Sequence, residues 1–412
     1  MIMKKIILFL FGTLSFILKG QEQINFGDSQ KPVPTVSYLS NYTESPASIS
    51  TGIPQINIPL FSFNTNNDKI SINYSIDYHV GNEFDYEVPA SDVGTGWSII
   101  GSGIISRKIN REVDEIYDNA GAQFYQKNEF DDEYYYNLPN GKAGKFKFKR
   151  DVVNNTFSVV ELSGNKLKIE YTRDDTNSAT LILNKFKISD DNGIQYVFED
   201  YTQSTTSIDI LSIKYKSSFN LTKILDSNNI ELVSYTYQKN SKYDQNNIFL
   251  YQTCKLGSIQ IKKGASIEFI YDYHEDLENT LNDPYSIHNI NIKNYQNNLQ
   301  YSFEFSYSSM VFHDPYLNTN YNKRILNTIT KFNKIHQQQD LYTLLYQQDT
   351  ESIPGMLKRI IYPSKGVVEY NFEKNQIYVN KEDPNFLYHY RYQYVDSEIQ
   401  YLKATNQINY VY

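Results

Sequence analysis

The stretch SDVGTGWSIIGSGIISRKINREVDE, from Ser91 to Glu115, carries the only tryptophan of the chain, Trp97, among four glycines. A dinucleotide-binding loop needs the pattern G-x-G-x-x-G between a strand and a helix, and Ile99 stands where the third glycine belongs. A nucleophile elbow needs G-x-S-x-G, and the residues around Ser98 lack the closing glycine. The stretch therefore predicts architecture and not a cofactor-binding or catalytic site.

The glycines of this stretch fit a structural role. Gly94 and Gly96 permit a turn with positive φ, after which the indole of Trp97 covers the start of a first sheet. Gly101 and Gly103 allow the chain to bend before the next strand pairs. We treat these five residues as a structural motif.

The composition favours strands. The chain has 412 residues with 38 Tyr and 23 Phe, against one Trp, one Cys and four Met. Tyrosine, phenylalanine and isoleucine fit pleated, half-buried surfaces, whereas asparagine and glycine favour turns. An A/T-rich genome would also enrich Asn, Lys, Ile and Tyr, so the arrangement of these residues is more informative than their number.

Strict alternation marks the first strands. In KISINYSIDYH, residues 69–79, isoleucine and tyrosine alternate with serine, asparagine and aspartate. This period of two predicts a half-buried strand. The preceding GIPQINIPLF alternates too, and its prolines, Pro54 and Pro59, confine it to an edge or to strand ends. The two segments predict a hairpin around SFNTNND.

A repeated unit becomes visible from about residue 181. Each unit begins with a leucine or isoleucine and has a second apolar residue three positions later, followed by a turn and an alternating aromatic strand. The first residues of successive units lie 31 to 39 residues apart, a period typical of stacked supersecondary units. We call these six first residues the anchors: Leu183, Leu221, Leu256, Ile287, Leu326 and Leu357.

The units read as hairpins. Most of their turns contain Asn-Gly, Asn-Asn or Lys-Gly, residues that tolerate positive φ, and Pro363 and Gly366 mark the last turn. The fifth unit is expected to have a longer polar turn. The returning strands end in aromatic residues two positions apart, which a strand presents on one face. A lone hairpin is marginal in water, so six in series predict lateral packing into an extended or curved sheet that could form part of a shell.

The sequence thus predicts an all-β protein in which an N-terminal β domain is followed by stacked β-hairpin repeats. The first residues, MIMKKIILFLFGTLSFILKG, have a basic start and a short apolar run, the layout of a secretory signal peptide. We expect the mature chain to be exported to the periplasm, the outer cell surface or the exterior, with no membrane span after signal removal. The predicted segments are a signal peptide over 1–20, an extended lead-in over 21–50, the N-terminal β domain over 51–180, about six hairpin repeats over 181–375 and a Tyr-rich β tail over 376–412.

Charge and reactive residues argue against several functions. The formal net charge is −8 with acids and bases interspersed, whereas a nucleic-acid partner needs a basic face. Cys254 has no second cysteine to bridge and is expected to pack on a buried strand. No two of the six histidines stand at zinc-ligand spacing, and the carboxylates at 131–133 and 190–191 suit ordinary turns better than calcium. We predict no metal, no cofactor and no enzymatic activity; an exported hydrolase ranks last.

Three segments resemble a known family. PTVSYLSNYTESPASISTGIPQINIPLFSF, INYSIDYH and DVGTGWSIIGSGIISRKI resemble the amino-terminal region of the large RHS/YD-repeat proteins exported by Bacteroidetes. YYYNLPNGKAGKFKF and GMLKRIIYPSKGVVEYNFE resemble further elements of that family, and the likeness covers roughly residues 32–375. The YD dipeptide survives only at Tyr271-Asp272, and Ile100 replaces a residue that is often small or polar in the family.

The resemblance implies a wall of stacked hairpins, which complete family members close into a hollow shell around a carboxy-terminal effector, often a toxin. We therefore expect a non-enzymatic scaffold that encapsulates or presents an effector, either a carboxy-terminal one or a separately encoded shell partner. The chain would be a truncated or split member, or it would work as an open sheet. The alternative is a surface adhesin or glycan-binding protein, with a partner surface formed by the alternating tyrosines of the tail: Tyr388, Tyr390, Tyr392 and Tyr394.

Overall fold

The computed structural model describes residues 56–79, 89–110, 113–116, 130–154, 156–176, 180–208, 211–278, 280–314, 319–347, 355–371, 375–378 and 407–410. The predicted signal peptide, the lead-in and the tyrosines from 388 to 394 lie outside these residues. The strands are β1 Ile56–Asn64, β2 Ser71–Tyr78, β3 Trp97–Ile100, β4 Ile104–Lys108, β5 Glu133–Asn137, β6 Ala143–Asp151, β7 Thr156–Glu161, β8 Lys168–Asp174, β9 Ile182–Ser189, β10 Gln195–Ile208, β11 Leu211–Leu225, β12 Glu231–Tyr243, β13 Phe249–Ile261, β14 Ser266–Tyr273, β15 Tyr285–Lys293, β16 Leu299–Asp314, β17 Thr319–Asn333, β18 Gln338–Tyr346, β19 Leu357–Ile361, β20 Val367–Glu369, β21 Asn375–Tyr378 and β22 Gln407–Tyr410.

The all-β prediction is confirmed, because the helical content of the described residues is one short 3₁₀ turn, Glu275–Leu277. Among these residues no helix is long and apolar enough to cross a membrane. Two small pairings stand apart from the main sheet. β1, β2 and β3 form a three-stranded antiparallel sheet, and β21 pairs with β22.

The small sheet contains the predicted first hairpin. β1 pairs with β2 and is an edge strand, and its register shifts between Pro59 and Phe61, as expected where proline lacks an N–H for the ladder. Along β2, alternate side chains are buried, including Ile72, Tyr74 and Ile76. The sheet therefore buries one face and leaves the other to serine and asparagine.

The main sheet is built from consecutive antiparallel hairpins. Every strand from β8 to β19 pairs with the next one along the chain, and β4 to β7 pair in the same manner. Two further pairings join strands that are not consecutive: β4 pairs with β11, which connects the two series, and β10 pairs with β13. The predicted stacked hairpins are thus present. The main sheet also includes strands that precede residue 181, where the sequence placed the first repeat.

Eight hairpin turns share one hydrogen-bond frame. The first residue donates its N–H to the carbonyl four residues on and accepts from the N–H three residues on; the first residues are Leu138, Asp190, Asp226, Asp244, Ile261, Asn294, Asn333 and Tyr362. This is the three-residue hairpin loop, a type I turn followed by a bulge, in most cases with a left-handed residue at its end.

Aspartate and asparagine side chains stabilise this turn by hydrogen bonds to its own backbone. In five of the eight turns the first residue's Oδ1 also accepts the N–H groups two and four residues on, at 2.7 to 3.1 Å. The Asn333 turn is one of these five, with His336 at φ 58°. The longer turn expected in the fifth unit is therefore wrong, since histidine takes the place that Gly193 or Asn229 occupies elsewhere.

The aromatic residues of the returning strands form the core. The buried set on these strands comprises Tyr196, Phe198, Tyr235, Phe269, Phe303, Phe305, Leu344 and Tyr346. On β6, Phe146 and Phe148 are buried between exposed Lys147 and Lys149, as the alternating pattern predicts. Full burial of an aromatic side chain contributes roughly 1.5–3 kcal/mol, so this face supplies most of the cohesion between neighbouring hairpins.

Candidate functional site

Every anchor lies at a β-bulge. The residue after each anchor is skipped in the register, so that two residues of one strand oppose one residue of its neighbour. The residues opposite the six anchors, in order, are Arg173, Phe198, Tyr237, Tyr271, Tyr307 and Tyr346. We call this line of irregularities the bulge row; it crosses the hairpins at one level of the sheet.

A bulge interrupts the ladder and leaves backbone groups without their usual partner. Tyrosine hydroxyls satisfy three anchor carbonyls: Tyr237 Oη donates to Leu221 O, Tyr307 Oη to Ile287 O and Tyr346 Oη to Leu326 O, each at 2.7 Å. Burial raises the pKa of Tyr237 and of Tyr307 well above the ordinary value, so both hydroxyls keep the proton that they donate.

Three anchor N–H groups find acceptors outside the repeats. The acceptors lie in the segment from Pro89 to Gly103, which we call the crossing strip, and in the strand before it. Leu221 N donates to Gly103 O at 3.1 Å and Ile287 N donates to Asp92 O at 2.9 Å. Leu357 N donates to Tyr78 Oη at 2.8 Å. The glycine-tryptophan stretch therefore lies along the bulge row and pairs with backbone groups that the bulges expose.

Trp97 joins the strip to the repeats. Its side chain is 2 % exposed, its ring lies 5.0 Å from that of Tyr78, and its Nε1 donates to Tyr346 Oη at 2.8 Å. Tyr346 in turn donates to Leu326 O. One tyrosine oxygen thus links the tryptophan of the strip to an anchor carbonyl, across a sequence separation of 249 residues.

Two glycines are required by close approach of backbone. Gly94 has φ +99°, and a Cβ there would lie 3.0 Å from the backbone nitrogen of Leu326. Gly101 has φ +137°, and its Cβ would lie 2.3 Å from Asn73 O. Both positions combine a left-handed conformation with contact to main-chain atoms, which only glycine accommodates without displacement. Gly96 also has positive φ, and Gly103 packs on Leu221.

An ion pair and a pair of hydrogen bonds to one main-chain carbonyl fasten the strip at two further points. Lys255 Nζ lies 3.0 Å from Asp92 Oδ2 and also pairs with Asp283. Burial opposes the charge of Lys255, but the two carboxylates outweigh it and raise its pKa. Arg324 O accepts both the N–H and the hydroxyl of Thr95 at 2.8 Å.

A buried ionic cluster lies just after the strip. Arg107 forms a bidentate pair with Glu115 at 2.7 and 2.9 Å, and its Nε donates to Asp132 Oδ2 at 2.7 Å. Asp114 Oδ2 lies 3.9 Å from Arg107 Nη2 and accepts a long 3.4 Å bond from Tyr134 Oη. The side chains of Arg107, Asp114, Glu115 and Asp132 are 1 %, 1 %, 7 % and 0 % exposed.

In this buried cluster, ionising all three carboxyl groups around one guanidinium carries a large free-energy cost. Burial, the largest effect, raises the pKa of Asp114 well above its ordinary value; Arg107 opposes the shift, and the carboxylates of Asp132 and Glu115 add to it. Asp114 Oδ1 has no hydrogen-bond partner among the described residues. Burial also raises the pKa of Asp132, against the opposing effect of Arg107, so both aspartates resist ionisation and Asp114 does so more strongly.

The predicted structural residues separate into two places. Gly94, Gly96, Trp97, Gly101 and Gly103 come together in the crossing strip, whereas Pro363 and Gly366 lie in the β19–β20 turn at an edge of the main sheet. Sequence reasoning did not find the hydrogen bonds between tyrosines and anchors, or the Arg107 cluster. The tyrosine that recurs opposite four of the six anchors was the available signal for the former.

Other candidate groups serve structural roles. Cys254 is half-buried and not buried as expected, and desolvation, the largest effect, raises its pKa to about 11. Asp132 accepts from Arg107 and from Asn110 N, and Asp190 caps its own turn. Within the described ranges no cluster of histidine, cysteine and carboxylate side chains has the arrangement of a metal site.

Comparison with known proteins adds little. No family model and no curated protein matches this sequence. A solved structure, the N-terminal domain of effector protein SpvB from Salmonella typhimurium strain LT2, is similar over 76 % of this chain and 100 % of that chain, at 9 % sequence identity and a TM-score of 0.30. At that score the likeness carries no argument about function.

Proposed function

We propose that this chain is a non-enzymatic, exported β-repeat scaffold that encapsulates or presents an effector, as the resemblance to the amino-terminal part of RHS/YD-repeat shells suggests. The observation that supports it best is the crossing strip. A strip that contacts several repeats at their bulges fixes the position of each hairpin relative to the next. That is what a wall requires and what a flexible string of hairpins lacks.

The polar groups that converge in the described residues also favour a scaffold. Asp92 and Lys255 hold the strip, Arg107 and Asp132 hold β4 against β5, and turn carboxylates cap their own turns. Each of these groups is engaged by a partner within the fold. A reaction centre would instead direct such groups toward a shared cavity.

The test begins with the DNA downstream of codon 412. We expect it to encode further Y-P-x-G hairpins and a variable tail, in the same frame or in a following one. The second step is to co-express that product with this chain and digest the mixture with trypsin. A scaffold protects the product, and a Trp97→Ala variant with a loosened wall protects it less, whereas the exposed substitution Tyr135→Phe changes nothing. Equal digestion with and without this chain would contradict the proposal.

The second candidate is a surface adhesin or glycan-binding protein, favoured by the alternating tyrosines from 388 to 394. Its test is the pair of substitutions Tyr390→Ala and Tyr392→Ala. Under this hypothesis they abolish binding to a glycan array and leave the unfolding transition unchanged. Collapse of the fold would identify the tyrosines as core residues and remove the main support for the adhesin.

A further inference from the structure

Four hairpin turns lie side by side on one edge of the main sheet. They connect β13 to β14, β15 to β16, β17 to β18 and β19 to β20, over residues 261–265, 294–298, 333–337 and 362–366. We call this row of turns, at the ends of the strands, the turn rim. Since neighbouring strands are about 4.8 Å apart, successive turns are about 10 Å apart and the rim is about 30 Å long.

Large apolar side chains project from the rim where polar residues are usual. Tyr295 is 60 % exposed, Ile335 is 65 % exposed and Val367, just after the last turn, is 53 % exposed. Hairpin turns are ordinarily built from Gly, Asn, Asp and Ser. Because these three exposed apolar residues lie at or next to three successive turns, they form a continuous row along the rim.

The rim is also locally basic in an acidic chain. Lys262, Lys263, Lys334 and Lys365 are exposed, and none of them has an ion pair within the part of the chain that the structure describes. Three carboxylates on the flanking strands are engaged in ion pairs: Glu268 with Lys293 at 2.9 Å, Glu369 with Arg359 at 2.9 Å and Asp340 with Lys331 at 3.9 Å. A fourth, Glu304, lies 3.6 Å from His336 and forms an ion pair only with a protonated histidine.

The two earlier turns on the same edge differ in charge, although the β11–β12 turn also ends in an exposed apolar residue, Ile230, at 58 %. They carry Asp190, Asp191 and Asp226. The β1–β2 turn also contacts this edge, with Lys69 Nζ donating to Asn192 O at 3.2 Å and Asn66 Nδ2 to Lys262 O at 3.1 Å. The basic character is therefore a property of the later turns, where the net charge of −8 would lead one to expect acids.

We propose that the turn rim docks on an anionic lipid membrane surface. Exposed aliphatic and aromatic side chains at loop tips enter the interfacial region, while neighbouring lysines pair with lipid phosphates. Each lysine close to an anionic leaflet adds favourable binding free energy, and four in a line act together. The main sheet would then stand on its edge on the membrane, with the wall directed away from it.

The experiment is vesicle co-sedimentation of the full chain. Vesicles of phosphatidylcholine with about 30 % phosphatidylglycerol are compared with vesicles of phosphatidylcholine alone, and the ratio of the two affinities is the readout. We expect a ratio of at least about tenfold for the wild-type chain, falling as salt is raised. The predicted signal peptide is present in every variant and does not affect their comparison.

Two variants test the rim directly. Lys334→Glu with Lys365→Glu should lower the ratio at least tenfold, and Ile335→Ser should weaken binding several-fold to anionic vesicles. The matched control is Lys147→Glu with Lys149→Glu, which changes the net charge equally on an exposed strand face and should stay within about twofold. Equal binding to both vesicle types, or an equal loss in the control, would overturn the proposal; so would the absence of vesicle binding, which would leave the rim to a protein partner.

Discussion

The substitution Tyr346→Phe tests the link between the crossing strip and the bulge row. It removes one oxygen that accepts the Nε1–H of Trp97 at 2.8 Å and donates to Leu326 O at 2.7 Å. Both partners would remain buried without a replacement. An unsatisfied buried polar group costs about 1–3 kcal/mol, so the loss of two should lower the free energy of unfolding by about 2–6 kcal/mol.

Two other tyrosine-to-phenylalanine substitutions provide a comparison for the expected loss of stability. Tyr237→Phe leaves one anchor carbonyl, that of Leu221, without its donor and should cost about 1–3 kcal/mol. Tyr135 Oη is exposed and bonds only to Glu133, so Tyr135→Phe should stay within about 0.5 kcal/mol. The assay is urea denaturation followed by circular dichroism, with the order Tyr346, Tyr237, Tyr135 as the expected result.

A double-mutant cycle separates the shared hydrogen bond from simple loss of packing. Trp97→Phe removes the donor, and combined with Tyr346→Phe it should cost less than the two single changes added together, by about 0.5–3 kcal/mol. Additive costs, or a Tyr346→Phe variant no less stable than Tyr135→Phe, would refute the idea that this oxygen joins the strip to the repeats.

Three further predictions follow from the same structure. Asp114 has a raised pKa in the folded chain, so the folded state binds more protons above about pH 4 and stability falls as the pH rises. Asp114→Asn should flatten that decline and raise the free energy of unfolding at neutral pH by on the order of 1–2 kcal/mol, as measured by thermal unfolding. Asp132→Asn should instead destabilise the fold, because it weakens the pair with Arg107. A destabilised Asp114→Asn variant would show that the charge of Asp114 is needed. Gly94→Ala should cost more than Gly141→Ala in urea denaturation, since both have positive φ but only the first meets backbone, at 3.0 Å; equal costs would mean that strain alone matters. The Cys254 thiol, with its pKa raised to about 11, should react with iodoacetamide at pH 8 about 100-fold more slowly than a free cysteine, and a normal rate would contradict its burial.

Local patterns predicted the strands and turns. Alternation along 69–79 and the aromatic pairs gave correct faces, because a strand's side-chain period is fixed by its backbone. The turns were recognised from Asn and Gly, but their common frame depends on the first residue, Asp190 or Asn333 for example, whose side chain bonds to two later N–H groups. Turn length in the fifth unit was misjudged because His336 carries no sequence signal for positive φ.

Long-range pairing was not predictable from a single sequence. Trp97 and Tyr346 lie 249 residues apart, and Thr95 meets Arg324 across 229 residues. The Arg107 cluster combines residues from β4, from the loop after it and from the position just before β5, and no spacing rule joins them. The anchors themselves were found as a repeating apolar position, yet nothing in their composition indicates a bulge.

The bulge row explains why tyrosine recurs where phenylalanine would pack as well. A bulge at the same level of every hairpin would leave a line of unpaired carbonyl and N–H groups inside an apolar sheet, at a cost of about 1–3 kcal/mol for each group. Tyrosine fills the core with its ring and satisfies the carbonyl with its hydroxyl, as at Leu221, Ile287 and Leu326. The strip supplies carbonyl acceptors for the N–H groups of Leu221 and Ile287, which requires that its backbone lie against that of the repeats. Gly94 and Gly101 permit this approach, so the glycine-rich stretch and the tyrosine-rich repeats together satisfy the backbone groups that the bulges expose.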